Sequence, residues 1–457
     1  GRRDKNLMRG IEKGLLNEDD VNVCVNNVYN LHKKVENLNY LQDCDYDKHF
    51  DLARQIAAES SVLLKNKGVL PLKSFENVAV LGAFASFPRY QGTGSSKVNP
   101  HKLVSFIQAL EEEGIKADYA LGFKANDDER DEKLEQEALT LAKQKDLVII
   151  FAGLPDAYES EGFDRSKMSL PASHLSLIKK VLELNKKVVA VLSGGSVMEL
   201  PFADEVDGIL LTYLAGEASG PAVLDVLLGR VNPSGKLPET WPLNYQDTPS
   251  QSNFPGDGTN VLYKESIYVG YRYFDSLNLK VRYPFGFGLS YTAYTYDNLD
   301  LKYEFVDGQI IYDISFDVTN TGEVAGAEVA QLYVASKAPG VYKPTHELRG
   351  FTKVKLEPHE TKRATIRLRQ SDLKIYDIST HETLLEKGQY IFEIGASSRD
   401  IRLRKEVLVE GEDASYLIDS DLADYYRPSH PFIASDEQFE KILQDKIPES
   451  RNRKQRP

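Results

Sequence analysis

The chain has 457 residues, of which 41% are hydrophobic and 27% charged, a composition typical of a globular protein with two or three domains. Acidic residues outnumber basic ones by 69 to 56, giving a formal charge of −13. That charge disfavours a general nucleic-acid binder and a protein attached to anionic membranes. No apolar segment is long enough to span a membrane. We therefore expect neither a nucleic acid nor a membrane as a partner.

The two cysteines, Cys24 and Cys44, and the eight scattered histidines form no C-x-x-C pair and no Cys/His cluster. We therefore expect free thiols, no disulfide framework and no zinc site. The chain begins at Gly1 without a signal-peptide pattern, and we expect it to be a piece of a longer protein. Cytoplasmic localisation is the default expectation, and the unpaired cysteines favour it.

Residues 1–46 are predicted to be the end of a domain and a linker, because they are too few to bury a core of their own. A short helix is predicted over 7–15. Asn17 and the acidic residues after it then begin a second helix, which carries an apolar stripe at helical spacing. The stripe consists of Val21, Cys24, Val25, Val28, Leu31 and Val35.

Residues 47–240 alternate between helical and strand patterns, which predicts a doubly wound α/β/α sandwich around a parallel sheet. The first helix is expected to continue from Phe50 to Leu64. The further helices are predicted over 103–113, 130–144, 173–185 and 217–228, and the strands over 78–82, 117–120, 147–152, 188–192 and 208–212.

Residues 241–290 are rich in Gly, Pro, Asn and Tyr and are predicted to be a long ordered linker. Residues 291–410 change to a two-residue period, typical of an antiparallel β-sandwich of immunoglobulin-like size. Residues 411–457 form a C-terminal tail with one short helix, capped by Ser435 and Gln438, and a basic end. The predicted strands are 311–318, 329–334, 349–356, 361–368 and 390–395.

Three loops follow predicted strands and would lie on one rim of a parallel sheet, where ligands of such sheets bind. The loop after the strand 147–152 carries Glu159, Glu161, Asp164 and Arg165 within seven positions. Burial can raise the pKa of one carboxyl while the arginine lowers that of another, as a general acid requires. Taken alone, the octapeptide 158–165 is better explained as a solvated acidic loop.

The loop after the first strand, residues 91–96, is rich in glycine and hydroxyl groups. It matches neither of the phosphate-binding motifs G-x-x-x-x-G-K-[ST] and G-x-G-x-x-G. With Arg89, Gln91, Ser95 and Ser96 it suits a hydroxyl-bearing ligand such as a sugar, and a plain turn is the alternative. The third loop, 193–196, is not a G-x-S-x-G nucleophile elbow.

Taken in order, a set of motifs covers nearly the whole chain. In the α/β part and linker they are AESSVLLKN (58–66), LPL (70–72), VAVLG (78–82), QGTGSS (91–96), EGFDR (161–165), NPSGKLP (232–238), VGYRY (269–273) and PFGFGLSYT (284–292). In the sandwich they are NTG (320–322), EVAQLYV (328–334) and ELRGF (347–351). Together they resemble the C-terminal portion of glycoside hydrolase family 3, of the β-glucosidase type, with its fibronectin type III-like domain.

The resemblance implies a retaining mechanism, with an aspartate nucleophile on a (β/α)8 barrel and an acid/base glutamate on the α/β domain. Glu161 occupies the acid/base position, with Glu159 as the runner-up. Asp164 and Arg165 are expected to orient the loop. Arg89, Gln91, Ser95 and Ser96 are the expected substrate-binding residues.

The chain departs from the family in the barrel, of which residues 1–40 resemble only the last helices. No nucleophile segment is found, so the resemblance implies a barrel partner in another chain or fragment. The expected substrate is a small β-glycoside or oligosaccharide, and neither a metal nor an organic cofactor is implied. A non-catalytic carbohydrate-binding or scaffolding fragment, a β-xylosidase or another exo-β-glycosidase are the alternatives. The oligomeric state is open, with a homo-oligomer as one option.

Overall fold

The computed structural model describes residues 2–36, 44–126, 128–338 and 340–449. They fall into two compact units, Gly1–His49 and Phe50–Pro457. Residues 37–43 of the predicted linker and 450–457 of the basic end lie outside the described residues. Among the helices that are described, none is long and apolar enough to cross a membrane.

The first unit contains the helices α1 (Arg2–Glu12) and α2 (Glu18–Glu36). The Asn17 side chain accepts a hydrogen bond from the Asp19 amide at 3.0 Å, as the capping pattern predicts. Within the described residues no side chain of α2 is buried, and its apolar stripe lies exposed apart from Val21, which is partly buried. Cys24 and Cys44 are exposed free thiols, which confirms that expectation.

The second unit begins with alternating helices and strands, close to the predicted order. They are α3 (Tyr46–Ser60), β1 (Val62–Asn66), β2 (Val78–Leu81), α4 (Phe106–Glu112), β3 (Asp118–Ala120), α5 (Glu132–Lys143), β4 (Leu147–Gly153), α6 (Ala172–Leu182), β5 (Lys187–Ser193), β6 (Gly208–Leu211) and α7 (Ser219–Leu227).

The six strands form one sheet in the order β1-β6-β5-β4-β2-β3. Five of them are parallel, and β1 pairs antiparallel with β6, with Val62 opposite Leu211. The prediction of a helix through Leu64 and of a purely parallel sheet is therefore wrong at this edge. The run from Val62 to Leu64 is apolar on consecutive positions, and such a short buried strand cannot be told from a helix end by periodicity.

Apolar layers cover both faces of the sheet. Within β4, Val148, Ile150 and Ala152 belong to the core shared with α5 and α6. Ile149 and Phe151 belong to the core shared with α3, α4 and α7. This alternation follows from the two-residue period of a strand, and it confirms the doubly wound α/β/α architecture.

The strand order reverses between β2 and β4. From β2 the chain proceeds outward to β3, and from β4 it proceeds in the other direction to β5 and β6. At such a switch point the loops after the two adjacent strands diverge and leave a crevice at the carboxyl edge. The loops after β2 and β4 are the two that carry the predicted site residues.

The segment after α7 winds between the domains with little regular structure. It contains the short strands β7 (Trp241–Pro242) and β8 (Val281–Tyr283), which pair antiparallel, and the helix α8 (Tyr271–Ser276). Tyr268, Tyr273, Phe274 and Tyr283 of this segment are buried, whereas Tyr263 and Phe254 are exposed.

The β-sandwich has two antiparallel sheets, in the orders β13-β10-β9 and β12-β11-β16-β17, and a separate β14-β15 hairpin. Its strands are β9 (Tyr294–Val306), β10 (Gln309–Asn320), β11 (Gly326–Ser336), β12 (Glu347–Leu356), β13 (Thr361–Arg369), β14 (Ile375–Asp377), β15 (Glu382–Leu384), β16 (Gly388–Gly395) and β17 (Ile401–Val409). The five predicted strands are confirmed, and sequence reasoning missed the outer strands β9 and β17.

The C-terminal segment packs on the linker through a small aromatic core. Tyr268 and Tyr273 of the linker contact Tyr425 and Phe432 of the tail, and all four are fully buried. The helices here are α9 (Ala423–Tyr426) and α10 (Asp436–Leu443). The Ser435 side chain accepts a hydrogen bond from the Gln438 amide, which confirms the predicted N-cap of α10.

Candidate functional site

The loops after β2, β4 and β5 meet at the carboxyl edge of the sheet. Arg89 Nε, in the first loop, donates to the Leu154 carbonyl of the second at 3.0 Å. The Glu161 amide of the second loop donates back to the Thr93 carbonyl at 3.3 Å. The third loop joins them through the Gly195 amide, as described below. The three loops that the sequence places on one rim are thus in direct contact.

Arg89 is the residue that holds this rim together. Its side chain is only 6% exposed and forms an ion pair with Asp156 at 2.9 Å. Its guanidinium also donates to the carbonyl oxygens of Gln91 and Glu159. The donors of Arg89 are therefore used within the protein, and its expected role in substrate binding stays a prediction.

The loop 91–96 is closed by the Gln91 side chain. Gln91 Nε2 donates to the Val98 carbonyl at 3.0 Å, and Oε1 accepts from the Val98 amide at 2.9 Å. Ser95 and Ser96 lie exposed at the tip of the loop. Of the four predicted substrate-binding residues, these two have side chains that face solvent and can meet a sugar hydroxyl.

Glu161 is exposed, and its carboxylate contacts the neighbouring loop. Its Oε2 accepts a hydrogen bond from the Ser95 amide at 2.6 Å. This backbone donor, together with the Ser95 hydroxyl, lowers the pKa of Glu161 below its ordinary value because both stabilise the charged form. The geometry places a negatively charged carboxylate at the rim, with one face free for a ligand.

Gly94 is required by this arrangement. Its backbone has a φ of +109°, and a Cβ there would lie 2.5 Å from the Glu161 Cβ and 2.6 Å from its Oε2. Neither the conformation nor the space admits a side chain. The close approach of the two loops therefore depends on a glycine at this position.

Glu159 is held quite differently from Glu161, two residues away. Its side chain is 13% exposed and its Oε2 lies 3.7 Å from Arg89 Nη2. The Gly195 amide donates to Oε2 at 2.8 Å, and the Ser196 hydroxyl donates to Oε1. Glu159 thus fastens the second loop to the first and third, and its carboxylate is saturated with protein partners.

Arg165 lies behind the loop and Asp164 lies on its surface. Arg165 Nη1 donates to Ser196 Oγ at 2.6 Å and to the Val197 carbonyl at 2.9 Å, as a loop-orienting residue would. Its Nε and Nη2 are buried without a hydrogen-bond partner in the described part of the chain. Asp164 is exposed and forms no hydrogen bond or ion pair with any described residue. Its orienting role stays a prediction.

Sequence reasoning missed a partly buried acid in electrostatic contact with Arg165. Glu239 follows Leu237 and Pro238 at the end of the α/β domain, and burial raises its pKa to about 7. Arg165 opposes this shift and Glu159 adds to it, so the three charges lie within electrostatic range of one another. No local pattern distinguishes Glu239, because the groups that interact with it electrostatically, Glu159, Arg165 and Tyr213, lie in the segments after β4 and β6. Burial and Glu239 also raise the pKa of Tyr213, next to the buried Trp241.

The rim can supply a carboxylate, two serine hydroxyls and backbone amides to a polar ligand. Among the described residues no group of three or more His, Cys, Asp or Glu side chains could hold a metal ion. The chemistry that these groups can perform on their own is proton transfer.

Two family models match the chain. The glycosyl hydrolase family 3 C-terminal domain covers residues 61–291, and the fibronectin type III-like domain covers residues 328–398. Among curated relatives, thermostable beta-glucosidase B of Acetivibrio thermocellus is 42% identical over 90% of this chain and 55% of its own length. An exo-alpha-(1->6)-L-arabinopyranosidase of Bifidobacterium breve is 42% identical over 80% of this chain and 50% of its own length. The chain spans about half the length of these relatives.

Solved structures agree with the family models. The GH3 beta-glucosidase of Bifidobacterium adolescentis superposes with a TM-score of 0.83 and 37% identity, over 97% of this chain and 65% of that one. Beta-glucosidase 3B of Thermotoga neapolitana, in complex with glucose, gives a TM-score of 0.76 and 31% identity, over 89% and 61% of the two chains. The α/β/α sandwich, the fibronectin type III-like sandwich and the matched models together show that the chain belongs to glycoside hydrolase family 3.

Proposed function

We propose that this chain is the acid/base-bearing part of a retaining exo-β-glucosidase, with Glu161 as the acid/base. One observation carries the assignment of the residue. Of the two glutamates in the loop, Glu161 has an exposed carboxylate with a single backbone partner, whereas that of Glu159 is buried among three. A group that must exchange protons with substrate and water needs the accessibility of Glu161.

In a retaining glycosidase one carboxyl protonates the leaving oxygen, while a second, about 5–5.5 Å away, attacks the anomeric carbon. The first group, then a carboxylate, takes a proton from the water that releases the sugar. The Ser95 amide favours the carboxylate form of Glu161, which is the form that activates water. A sugar bound over the rim would displace water, oppose that charge and raise the pKa for the acid step.

The nucleophile is proposed to be an aspartate on a (β/α)8 barrel that lies outside this chain. The motifs of the chain match the family from residue 58 onward, and the match with thermostable beta-glucosidase B covers only 55% of that relative's length. The substrate is proposed to be a terminal β-D-glucoside. Two exposed serine hydroxyls support it, because Ser95 contacts Glu161 and Ser96 is the next residue of the same loop.

A second candidate is an exo-acting glycosidase for another pyranoside. It is favoured by the arabinopyranosidase relative, which is as similar to this chain as the first β-glucosidase is. A β-xylosidase is a further option within the same family. The non-catalytic alternative, a carbohydrate-binding or scaffolding piece, predicts no hydrolysis under any condition.

The experiment combines this chain with a barrel-bearing family 3 polypeptide, mixed or fused, and measures hydrolysis of aryl and alkyl β-glucosides. Glu161→Gln should reduce hydrolysis of the alkyl glucoside by about 10²–10⁴-fold, and that of an activated nitrophenyl glucoside far less, because only poor leaving groups need a proton. Glu205→Gln, an exposed glutamate of the same domain, is the matched control.

Equal losses on both substrates would contradict the acid/base role of Glu161. A selective loss in Glu159→Gln instead would move the role to that residue. Activity of the 457-residue chain alone would show that both carboxylates lie within it. Comparing β-glucoside with α-L-arabinopyranoside and β-xyloside then decides the substrate class.

A further inference from the structure

A fourth loop contacts the segment that carries Glu161. Asp128 lies between β3 and α5, outside the three loops of the rim. The Tyr158 hydroxyl donates to Asp128 Oδ2 at 2.5 Å, and the Ala172 amide donates to Oδ1 at 2.7 Å. Since Glu161 lies between Tyr158 and Ala172 in the chain, one carboxylate joins both ends of the segment that carries it.

Asp128 supplies a hydrogen-bond acceptor at each of these ends. The helix α6 begins at Ala172, and its N-cap residue, Pro171, makes no side-chain hydrogen bond. The first amides of a helix have no partner within the helix, and a carboxylate near them also faces the positive end of the helix dipole. At the other end, Tyr158 is partly buried, and a hydroxyl removed from water needs a partner.

The Asp128 carboxyl is charged at neutral pH. Burial raises its pKa, but the hydrogen bonds from Tyr158 and Ala172 and the charge of Lys167 outweigh burial, so that the pKa lies below its ordinary value. Lys167 Nζ lies 3.6 Å from Asp128 Oδ2 and 4.8 Å from the centroid of the Tyr158 ring. Lys167 belongs to the same segment, so a charged acceptor contacts the segment at three points, and hydrogen bonds to a charged group are the stronger ones.

Glu161 itself has few contacts that could fix its position. It is exposed, and its Oε2 accepts one hydrogen bond, from the Ser95 amide at 2.6 Å. An exposed segment keeps one conformation only where its flanking residues are fixed, because the backbone between them must give up its conformational freedom. The contact of Glu161 with the Ser95 amide therefore depends on the residues that fasten the segment, and Asp128 fastens it at both ends.

We propose that Asp128 is a positioning residue for Glu161, acting through Tyr158 and the N-terminus of α6. It holds the segment 158–172 so that the Glu161 carboxylate meets the Ser95 amide. This role rests on the proposed function, because it concerns the group proposed as the acid/base. A small displacement of a reacting group lowers the rate strongly, since proton transfer requires hydrogen-bond distance.

The test compares Tyr158→Phe and Asp128→Ala in the barrel-completed enzyme. Each should lower kcat on an alkyl β-glucoside by about tenfold or more, with KM within about twofold, because the acid/base is displaced while the sugar-binding groups stay. In a Glu161→Gln background neither substitution should lower the rate further, since the group that they position is gone. Tyr263→Phe, at a linker tyrosine that is 72% exposed, is the matched control and should change neither constant.

Hydrogen exchange on the 457-residue chain alone gives a second readout that needs no barrel. Amides in the segment 158–172 should exchange about tenfold faster in Tyr158→Phe and Asp128→Ala than in the wild type, whereas those of the β-sandwich should not change. Thermal unfolding verifies that each variant is folded. If Asp128→Ala does not fold, Tyr158→Phe carries both measurements.

Unchanged exchange in the segment would overturn the proposal. So would rate losses that persist undiminished in the Glu161→Gln background, because the two residues would then act on something other than Glu161. A rise in KM with unchanged kcat would overturn it as well, since it would indicate a role in substrate binding. Inactivity of the wild-type completed enzyme would contradict the proposed function instead, and the exchange measurement would still decide whether Asp128 holds the segment.

Discussion

The rim formed by the loops after β2, β4 and β5 and the β-sandwich are stabilised in different ways. In the sandwich, β10 alternates strictly between partly exposed and buried positions from Ile311 to Thr319, and β13 alternates between exposed and buried positions from Arg363 to Arg369. The inward side chains form one apolar core. At the rim, the contacts are backbone amides, an arginine and carboxylates from three loops. The sandwich is stable because it removes apolar area from water, whereas the rim is shaped by specific polar contacts. Substitutions should therefore affect stability in one region and activity in the other.

The largest effect on stability is expected in the sandwich core. Phe316 is fully buried and stacks on Tyr296 with the ring centroids 6.0 Å apart. Phe316→Ala should lower the free energy of unfolding by about 3–5 kcal/mol through lost burial and a cavity. Phe351→Ala, at a ring that is 68% exposed, is the control and should cost far less. Urea denaturation measures both, and similar losses would contradict the core assignment.

A smaller loss is expected where the rim itself is structural. Glu159→Gln removes the charge that faces Arg89 and weakens the bonds from Gly195 and Ser196, at a cost of about 2 kcal/mol. Glu161→Gln should leave the unfolding transition unchanged, because that side chain is exposed. Together the two variants test whether Glu159 stabilises the loop while Glu161 is free to react. If Glu161→Gln destabilised the chain as much as Glu159→Gln, that division would be wrong.

The partly buried acid Glu239 should give a pH-dependent stability. Burial raises the pKa of Glu239 from 4.5 to about 7, so the folded chain keeps a proton that the unfolded chain releases. The contribution of Glu239 is therefore most favourable below pH 4.5 and is lost as pH rises toward 7. Glu239→Gln should remove this loss. The variant's gain in free energy of unfolding over the wild type should therefore be about 1–2 kcal/mol larger at pH 8 than at pH 5. Glu205→Gln is the control, and parallel pH profiles of wild type and Glu239→Gln would contradict the prediction.

The smallest effect concerns the hydroxyl next to Glu161. Ser95→Ala keeps the backbone donor but removes the hydroxyl, which also lowers the pKa of Glu161. The pKa of Glu161 should therefore rise, and the general acid should stay protonated up to a higher pH. The alkaline limb of the kcat/KM profile of the barrel-completed enzyme should move to higher pH accordingly. Ser96→Ala, one residue on, should leave the limb in place. A shift to lower pH, or equal shifts in both variants, would exclude the Ser95–Glu161 interaction as the cause.

Much of the fold could be predicted from the sequence because its patterns are local. Alternation indicated the five strands of the sandwich that were named, and the apolar runs at 147–152 and 188–192 indicated the two central strands of the α/β sheet. The prediction was wrong at Val62–Asn66, where a strand follows directly on α3 without a turn signal. The edge strands β9 and β17 were missed because their exposed positions dilute the alternation. The domain boundaries stay predictions.

The sequence by itself determined the family, the doubly wound and sandwich architectures, and the loop that carries the candidate acid/base, since each of these is encoded in contiguous motifs. Only the tertiary structure decided how Glu159 and Glu161 differ, because their partners, Gly195 and Ser95, lie more than thirty residues away in either direction. It also showed that Arg89 joins the loops, and it revealed Glu239. Burial and charge pairing depend on which segments meet in space, and no local pattern records that.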